Sequence, residues 1–434
     1  MSPAFRLVAV GTCLSILAPL AAAADEAGDV KSKLAEHYAA ARKIIDTLPK
    51  EAAKGELSQD TAIRTLARAC GYADMFPQME QLAGQLSENQ HLITARYPGF
   101  HIVHGRWDQA AKLLDQMKQQ DQKGLSLAWT LAILQGMPVD VTKTLNLGAK
   151  APTRSQKLLW SSAVRQELAD GRLARARGRA SQAARKLDKQ TLQRVEPDIQ
   201  TWLDAAKIAT GTLKPTEKLQ SATSRAALLA TLWAARGKIA QAQRAAEALP
   251  DDTRRAKAFI SIAQAHLEAG NALQASRYLQ QAEDMLLSED QHHMTSALAG
   301  RQIAQLRARQ GQLKQATDTL DRFEEYFVKA AASARPGDKA KITAQQKTLQ
   351  QRFAKARLHS RILARQVDAA LEQIEKEPAL VDAEILTELH ETLGKIGMAD
   401  RVEKILPKIK DPQTKLYYHI QMVLHLSGKA PGER

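Results

Sequence analysis

The chain has 434 residues, of which 44% are hydrophobic but only 4% are aromatic, so its apolar content is mainly Ala and Leu. Runs of Val, Ile and Thr that alternate with polar residues are absent, which excludes an extensive β-sheet, and the length suits two or three domains or one extended repeat array. The formal net charge of +15 at pH 7 favours anionic partners; a basic surface of interspersed, solvated charges is the alternative.

The N-terminal residues predict export. A single arginine precedes a short apolar run, LVAVGTCLSILAPLAAA, and a series of alanines ends at Ala24. A charged start, an apolar middle and a small-residue cleavage site are typical of a secretory signal peptide. We therefore predict a signal peptide at 1–24 and a periplasmic or secreted mature chain without a transmembrane segment. Cleavage would remove Cys13 and leave Cys70, which we expect to be buried in a helix.

A helical lead-in at 25–56 is followed by a repeated pattern. An apolar residue stands eight positions before a turn residue, and a small or apolar residue stands five positions after it. The two clearest copies lie at 225–286. We assign the turn between helices to eight glycines: Gly71, Gly105, Gly136, Gly171, Gly237, Gly270, Gly311 and Gly397. Weaker copies turn at Gly211 and Gln366.

This pattern predicts stacked helix hairpins. Successive turn positions are 26 to 55 residues apart, which is the range of helical repeat units. A pair of helices cannot bury both apolar stripes alone, so neighbouring pairs stack and share a continuous core. Glycine suits the turn because the residue that ends a helix often adopts a left-handed conformation. A small residue five positions later, such as Ala242 or Ala275, lets the second helix approach the first.

The spacing of Gly, four residues and Ala resembles the tetratricopeptide repeat. The resemblance covers roughly 57–428 and is best at 225–320. It implies an all-α fold, a right-handed superhelical solenoid of antiparallel hairpins with a concave surface that binds peptides. A helical-hairpin solenoid of another family would leave nearly the same pattern.

A break in the helical pattern divides the repeat array into two parts. The repeats at 57–338 end at Arg335-Pro336-Gly337-Asp338, and one long helix rich in Gln, Lys and Arg is predicted over 339–365. We predict that 339–434, with this helix and the last repeats, continues the preceding array. A true domain boundary at the break is the alternative.

The densest positive charge follows Gly171. Four of its residues are candidates for binding an anion or an acidic partner: Arg172, Arg175, Arg179 and Lys186. On a helix, the three arginines share one face because they are three and four residues apart. A solvated helix face is the plain alternative. Nucleic acid is disfavoured because no stacking aromatics lie between the arginines.

Two further charged stretches lie late in the chain. A second basic face at 339–365 has the same two interpretations, and an acidic stretch runs from Glu372 to Glu391. The basic and acidic stretches could pair head to tail between molecules, although such alternation commonly keeps a solenoid soluble.

No catalytic or metal-binding motif stands out. His101 with His104, and His292 with His293, are pairs without a third ligand. The chain carries no Gly-rich phosphate loop and no nucleophile elbow, so we expect no cofactor and no metal. Five tryptophans are more simply explained by burial between hairpins than by ligand stacking: Trp107, Trp129, Trp160, Trp202 and Trp233.

From these patterns we predict a non-catalytic helical-repeat protein of the bacterial envelope, which binds a protein or peptide on a concave surface. The alternatives are an all-α enzyme that acts on an anionic envelope glycan, and a self-assembling scaffold subunit. Because the clearest repeats at 225–286 reflect generic packing, we expect functional residues where the pattern departs: after Gly171, near Gly211 and after Pro336.

Overall fold

The structure is a computed structural model that describes residues 24–50, 52, 57–86, 90–117, 122–288, 294–332, 339–395, 398 and 400–427. Its described residues form α-helices, short 3-10 turns and loops, and none of them forms a β-strand. The predicted signal peptide up to residue 23, the break at Arg335–Asp338 and the turn residue Gly397 lie outside the described residues.

The helices follow one another through short connections. In the first part of the chain they are α1 Ala24–Ile45, α2 Gln59–Tyr72, α3 Phe76–Ala83, α4 Gln90–Thr94, α5 Tyr97–Val103, α6 Trp107–Gln116, α7 Gln122–Gly136, α8 Val141–Leu147, α9 Thr153–Ala169, α10 Leu173–Lys186 and α11 Lys189–Ala209. The remainder are α12 Gln220–Ala235, α13 Ile239–Glu247, α14 Asp252–Glu268, α15 Ala272–Ser288, α16 Met294–Arg309, α17 Leu313–Ala332, α18 Lys339–Leu363, α19 Val367–Lys376, α20 Ala383–Gly394, α21 Asp400–Ile405 and α22 Pro412–Leu426.

The chain divides into two compact units. The first holds the described residues of 1–166, 175–199 and 409–434, and the second holds those of 167–174 and 200–408. In both units, short polar side chains cap the N-termini of several helices. Asp140, Asp251 and Asp382 each accept a hydrogen bond from the backbone N–H three residues later, which satisfies a donor that the helix leaves unpaired.

In the second unit the helices pack as consecutive hairpins. The first helix of each hairpin packs against the first helix of the next, from α12 to α14, α16, α18 and α20. Each also contacts its own second helix, as α14 does with α15 and α16 with α17. Each first helix thus contacts its neighbours in the sequence, and the second unit is an all-α array of stacked helix hairpins, as predicted.

Left-handed residues end the first helices. Gly270 has a φ of 75°, and its N–H donates to the Leu267 carbonyl while the Asn271 N–H donates to the His266 carbonyl. This is the Schellman arrangement, which satisfies two carbonyls at the end of a helix. The same two bonds and a positive φ recur at five further glycines: Gly105, Gly171, Gly211, Gly237 and Gly311.

Three turn assignments differ from the sequence-based prediction. Gly71 lies inside α2, where an added Cβ would come within 2.4 Å of the Phe100 ring, and Asp74 takes the left-handed position with a φ of 62°. Gly136 is the last residue of α7, where an added Cβ would meet the Thr144 hydroxyl at 2.5 Å. Both glycines permit close packing between helices and are not turn residues.

The third difference concerns the repeat without a glycine. Its left-handed residue is Arg365, with a φ of 61°, and the predicted Gln366 is the next residue in the chain. The small residues expected after the turns lie in the core: Ala110, Ala176, Ala242, Ala275 and Ala316 are fully buried.

The first unit brings together both ends of the described chain. Helix α1 packs against α22 and α2, and α2 also packs against α22, α3 and α5. One apolar cluster includes Ile45 from α1, Leu66 and Cys70 from α2, and Ile420 from α22. Cys70 is fully buried, as expected, and burial raises the pKa of its thiol to about 12.

Candidate functional site

The four predicted anion-binding residues do not form one group. Arg172 precedes α10 in the turn from α9, and its Nε forms an ion pair with Oε2 of the buried Glu167 at 2.9 Å. Arg172 also pairs with Asp170. The positive charge of Arg172 is therefore compensated within the turn, which belongs to the second unit. The other three predicted residues lie on α10, in the first unit.

Along α10, a basic flank lies beside α8. Arg175, Arg179 and Lys186 are separated by four and seven residues, so they project from one side of the helix. Arg179 donates to the Thr142 hydroxyl over 3.4 Å and to the Gln182 side-chain oxygen over 3.3 Å, which places this flank near the start of α8. We call Arg175, Arg177, Arg179, Arg185 and Lys186, the cations of α10, the α10 basic face.

The two later charged stretches are compensated within the second unit. On α18, Lys355 pairs with Asp382 over 3.2 Å and Arg357 pairs with Asp321 over 2.6 Å. Lys339, Lys341 and Lys347 have side chains outside the described residues.

Several carboxylates of the acidic stretch also have basic partners. Glu384 pairs with Arg301 over 2.6 Å, Glu375 with Lys408 over 2.6 Å, and Glu372 with Lys376 over 2.7 Å. Hydrogen bonds from Lys376 and Lys408 lower the pKa values of Glu372 and Glu375. This stretch is thus not an uncompensated acidic surface.

A groove in the second unit was not predicted. It lies between α13 and α15 above a floor from α14, is open to solvent, and has a volume of about 540 Å³. This volume lies in the range of ligand-binding clefts in proteins. The residues that line the groove are Gln243, Glu247, Arg255, Phe259, Gln274, Arg277, Tyr278, Gln281, Asp284 and Met285. We call it the α13–α15 groove.

Aromatic rings form the floor of the α13–α15 groove. The centroids of Phe259 and Tyr278 are 5.5 Å apart, and the His266 ring, which does not itself line the groove, stacks on Tyr278 at the same centroid distance and an angle of 14°. Burial raises the pKa of Tyr278, with Glu247 adding to the shift, and burial lowers the pKa of His266. At neutral pH the floor is therefore uncharged, and the Tyr278 hydroxyl can donate a hydrogen bond.

The rim of the groove combines balanced charges with amides. Arg255 is held by the Leu249 carbonyl over 2.9 Å and by Asp252 over 3.2 Å, and Gln243 donates to Glu247 over 2.9 Å. Two arginines and two carboxylates line the groove, so it has no strong net charge.

The groove lies within the clearest pair of repeats, 225–286, and not at the departures from the pattern, where we expected functional residues. Gln274, Tyr278, Gln281 and Met285 follow each other by four, three and four residues, which puts them on one side of α15. Such a stripe beside the apolar face was visible in the sequence. Its role depends on the opposing Glu247 and Phe259, which come from other helices.

Two buried polar networks tie the hairpins of the second unit together. Glu283 on α15 is fully buried and forms ion pairs with Arg307 and with Arg322, each with an N–O distance of 2.7 Å. On α18, the buried His359 has Nδ1 within 2.9 Å of the Gln305 amide and Nε2 3.7 Å from a Glu388 oxygen. Both networks join successive hairpins, and each centres on a buried side chain, Glu283 in one and His359 in the other.

The remaining candidate residues, the histidines and tryptophans, make structural contacts. His104 Nε2 is 3.0 Å from the Gly71 carbonyl, and the His101 ring stacks on Phe76. His292 and His293 lie outside the described residues, and the rest of the described chain holds no cluster of three metal-ligating side chains. The tryptophans at 129, 160, 202 and 233 are buried, whereas Trp107 is half-buried with Lys143 Nζ 5.8 Å from its ring centroid.

Comparisons with known proteins add little to this geometry. The chain matches no protein-family model and no curated protein sequence. Among solved structures it is similar to one described as a "Circular tandem repeat protein with novel repeat topology and enhanced subunit contact surfaces". The two are 15% identical over 92% of this chain and 89% of the other, with a TM-score of 0.20. A TM-score this low transfers neither fold nor function.

Within the described residues, no helix combines the length and the apolar content that crossing a bilayer requires.

Proposed function

We propose that this protein is a non-catalytic helical-repeat protein that binds an extended segment of a protein partner in the α13–α15 groove. The observation that carries the proposal is the composition of the groove: an aromatic floor, a rim of glutamine amides and balanced charges. Tyr278 and Phe259 are buried, with 9% and 5% of their surface exposed, and together with the half-buried Met285 they offer an apolar side chain of the partner a small contact surface.

The amides of α15 suit a peptide backbone. Gln274 and Gln281 are seven residues apart, which is about 10 Å along a helix. Three residues of extended chain span about the same length. Each amide both donates and accepts hydrogen bonds, as a peptide group does. The stripe therefore matches a short extended segment better than it matches a compact charged ligand.

The finer parts of the proposal come from the sequence. The signal-peptide pattern at 1–24 supports action in the periplasm or outside the cell. The turn glycines followed by small residues support a tetratricopeptide-like superhelix. In that arrangement the groove between second helices would be one of several places where a partner contacts the array.

Selection from a displayed library of random peptides, with the mature chain as bait, tests the proposal. We expect the selected peptides to lose about tenfold in affinity for the double variant Gln274→Ala/Gln281→Ala, because each lost amide removes hydrogen bonds to the backbone. The control is Gln264→Ala on α14, which removes a similar amide that bonds Glu268 and lies outside the groove. Equal binding to all three proteins would refute the proposal.

The groove also carries the feature that favours the enzyme alternative, since Glu247 and Asp284 are carboxylates beside an aromatic floor, as in many glycosidases. Incubation of the mature protein with anionic envelope glycans distinguishes the two. We expect no release of fragments; cleavage that is lost in Glu247→Gln would establish the enzyme instead.

A further inference from the structure

The α10 basic face has more uncompensated charge than its surroundings. The segment LARARGRASQAARK contains five cations and no acidic residue. Within the described chain, Arg175, Arg177, Arg185 and Lys186 form no ion pair, whereas arginines such as Arg301 and Arg357 do. Like charges on successive turns repel each other, so α10 carries a cost that an anionic ligand would remove.

A glycine at the centre of this face is a second, independent observation. Gly178 is exposed in the middle of α10, and a Cβ added there would meet nothing within 4 Å. Its helical position does not require a glycine, which destabilises a helix interior relative to alanine. Neither the backbone nor the packing therefore explains Gly178, whereas close approach of another chain does.

The side chains next to Gly178 are small, so they leave the surface between the arginines shallow. Ser181 and Ala184 are small and exposed, so the arginines stand around a shallow strip. Arg179 is held by Thr142 and Gln182, which fixes one side of the strip. From Arg175 to Lys186 the strip is about 16 Å long, which matches roughly five residues of an extended chain.

We infer that the α10 basic face binds an acidic, extended segment of a protein partner, with Gly178 at the point of closest approach. Guanidinium groups bind carboxylates through paired hydrogen bonds, which gives the arginines a geometric match to Asp and Glu side chains. The inference does not depend on the α13–α15 groove.

The surroundings of the face disfavour other occupants. The exposed residues between the cations are Gly178, Ser181 and Ala184, so no large apolar or aromatic side chain is available to enter a membrane or to stack on a base. A second copy of this chain is disfavoured because carboxylates of its acidic stretch, such as Glu375 and Glu384, are already paired.

The test measures binding of a fluorescent peptide of about eight residues that alternates Glu and Gly, by anisotropy, to the mature chain at low ionic strength. We expect Arg175→Gln/Lys186→Gln to weaken binding about tenfold or more. The control Lys257→Gln/Lys314→Gln removes the same charge from exposed positions elsewhere, and we expect it to change the affinity less than about twofold.

Two glycine variants separate close approach from charge. Gly178→Leu keeps every cation and favours the helix, and we expect it to weaken binding about tenfold, whereas the smaller side chain of Gly178→Ala weakens binding less. Wild-type affinity in Gly178→Leu, or equal weakening by both charge-removing doubles, would overturn the inference. So would absence of peptide binding, including the case in which phosphatidylglycerol vesicles or single-stranded DNA bind through Arg175 instead.

Discussion

Single residues at the turns determine where each first helix ends. Among the described residues, eight have a positive φ, and six of these are glycine. The two others, Asp74 and Arg365, occupy the same position in their hairpins as Gly270 does in its own. A residue with a Cβ is disfavoured in this conformation, so the array contains its own comparison between glycine and non-glycine turns.

Exchange of residues between these turns should change stability in opposite directions. We expect Gly270→Val to lower the free energy of unfolding by about 1 kcal/mol or more, because φ is 75° there. A Cβ would meet no neighbour, so this loss would come from backbone strain alone. Arg365→Gly should raise it by up to about 1 kcal/mol. Denaturant titrations followed by circular dichroism measure both.

Gly84 provides the control for this pair, because its φ of −64° is helical. We expect Gly84→Ala to be neutral or slightly stabilising. A stable Gly270→Val variant would show that its backbone tolerates a β-branched residue without strain.

At the scale of elements, buried polar side chains link one hairpin to the next. Glu283 on α15 binds Arg307 on α16 and Arg322 on α17. Arg307 also donates to Thr319 and, over 2.9 Å, to Gln280. We expect this network to favour one register between the hairpins, because each buried charged group has one set of partners.

Loss of the buried charge should therefore be costly. We expect Glu283→Gln to destabilise the protein by about 3 kcal/mol, because Arg307 would be left buried without a counter-charge. Arg322→Gln should cost no more than about 1 kcal/mol, since Arg322 is 45% exposed and keeps its contact with water.

An apolar replacement of the buried pair controls for packing. We expect the double variant Glu283→Leu/Arg307→Met to be more stable than Glu283→Gln in thermal melts. A double variant that is less stable than the single one would show that the charges themselves hold the hairpins.

At the scale of the whole molecule, the first unit joins the first and last described helices. His37 on α1 and His419 on α22 face each other with their Nδ1 atoms 2.9 Å apart. Burial, with a smaller contribution from Lys415, lowers the pKa of His419 to about 4. One nitrogen donates and the other accepts, an arrangement that requires at least one of the two rings to be neutral.

This contact should make the first unit sensitive to acid. An unfolded histidine takes up a proton near pH 6.5 but the folded His419 only near pH 4, so its contribution is complete above about pH 6.5 and is lost as the pH falls to about 4. We expect a loss of about 2 kcal/mol across this range, allowing for partial solvent screening.

Hydrogen exchange of α1 and α22, measured at pH 7 and pH 5 with correction for intrinsic rates, would detect the weakened contact. We expect His419→Phe to reduce the pH dependence of protection in both helices. The same pH dependence in that variant would mean that other groups open this contact.

How much of the candidate site was predictable differs between the two surfaces. The cations of α10 are evident from the sequence. The sequence groups Arg172 with them, whereas in the structure Arg172 pairs with Glu167, which becomes its neighbour only when the turn forms. The α13–α15 groove was missed because α15 supplies only one of its walls. The repeat spacing predicts turns at Gly71 and Gly136, although the residues that require these glycines are Phe100 and Thr144 on other helices.

The sequence by itself determined that the chain is helical, where most first helices end and which small residues line the core. These properties depend on neighbours within one or two helical turns, so their spacing is visible along the chain. Only the tertiary structure decided which charges are compensated, which glycines serve packing, and that α13, α14 and α15 enclose a groove. Those properties depend on distances between residues far apart in the sequence, which hydrophobic periodicity does not encode.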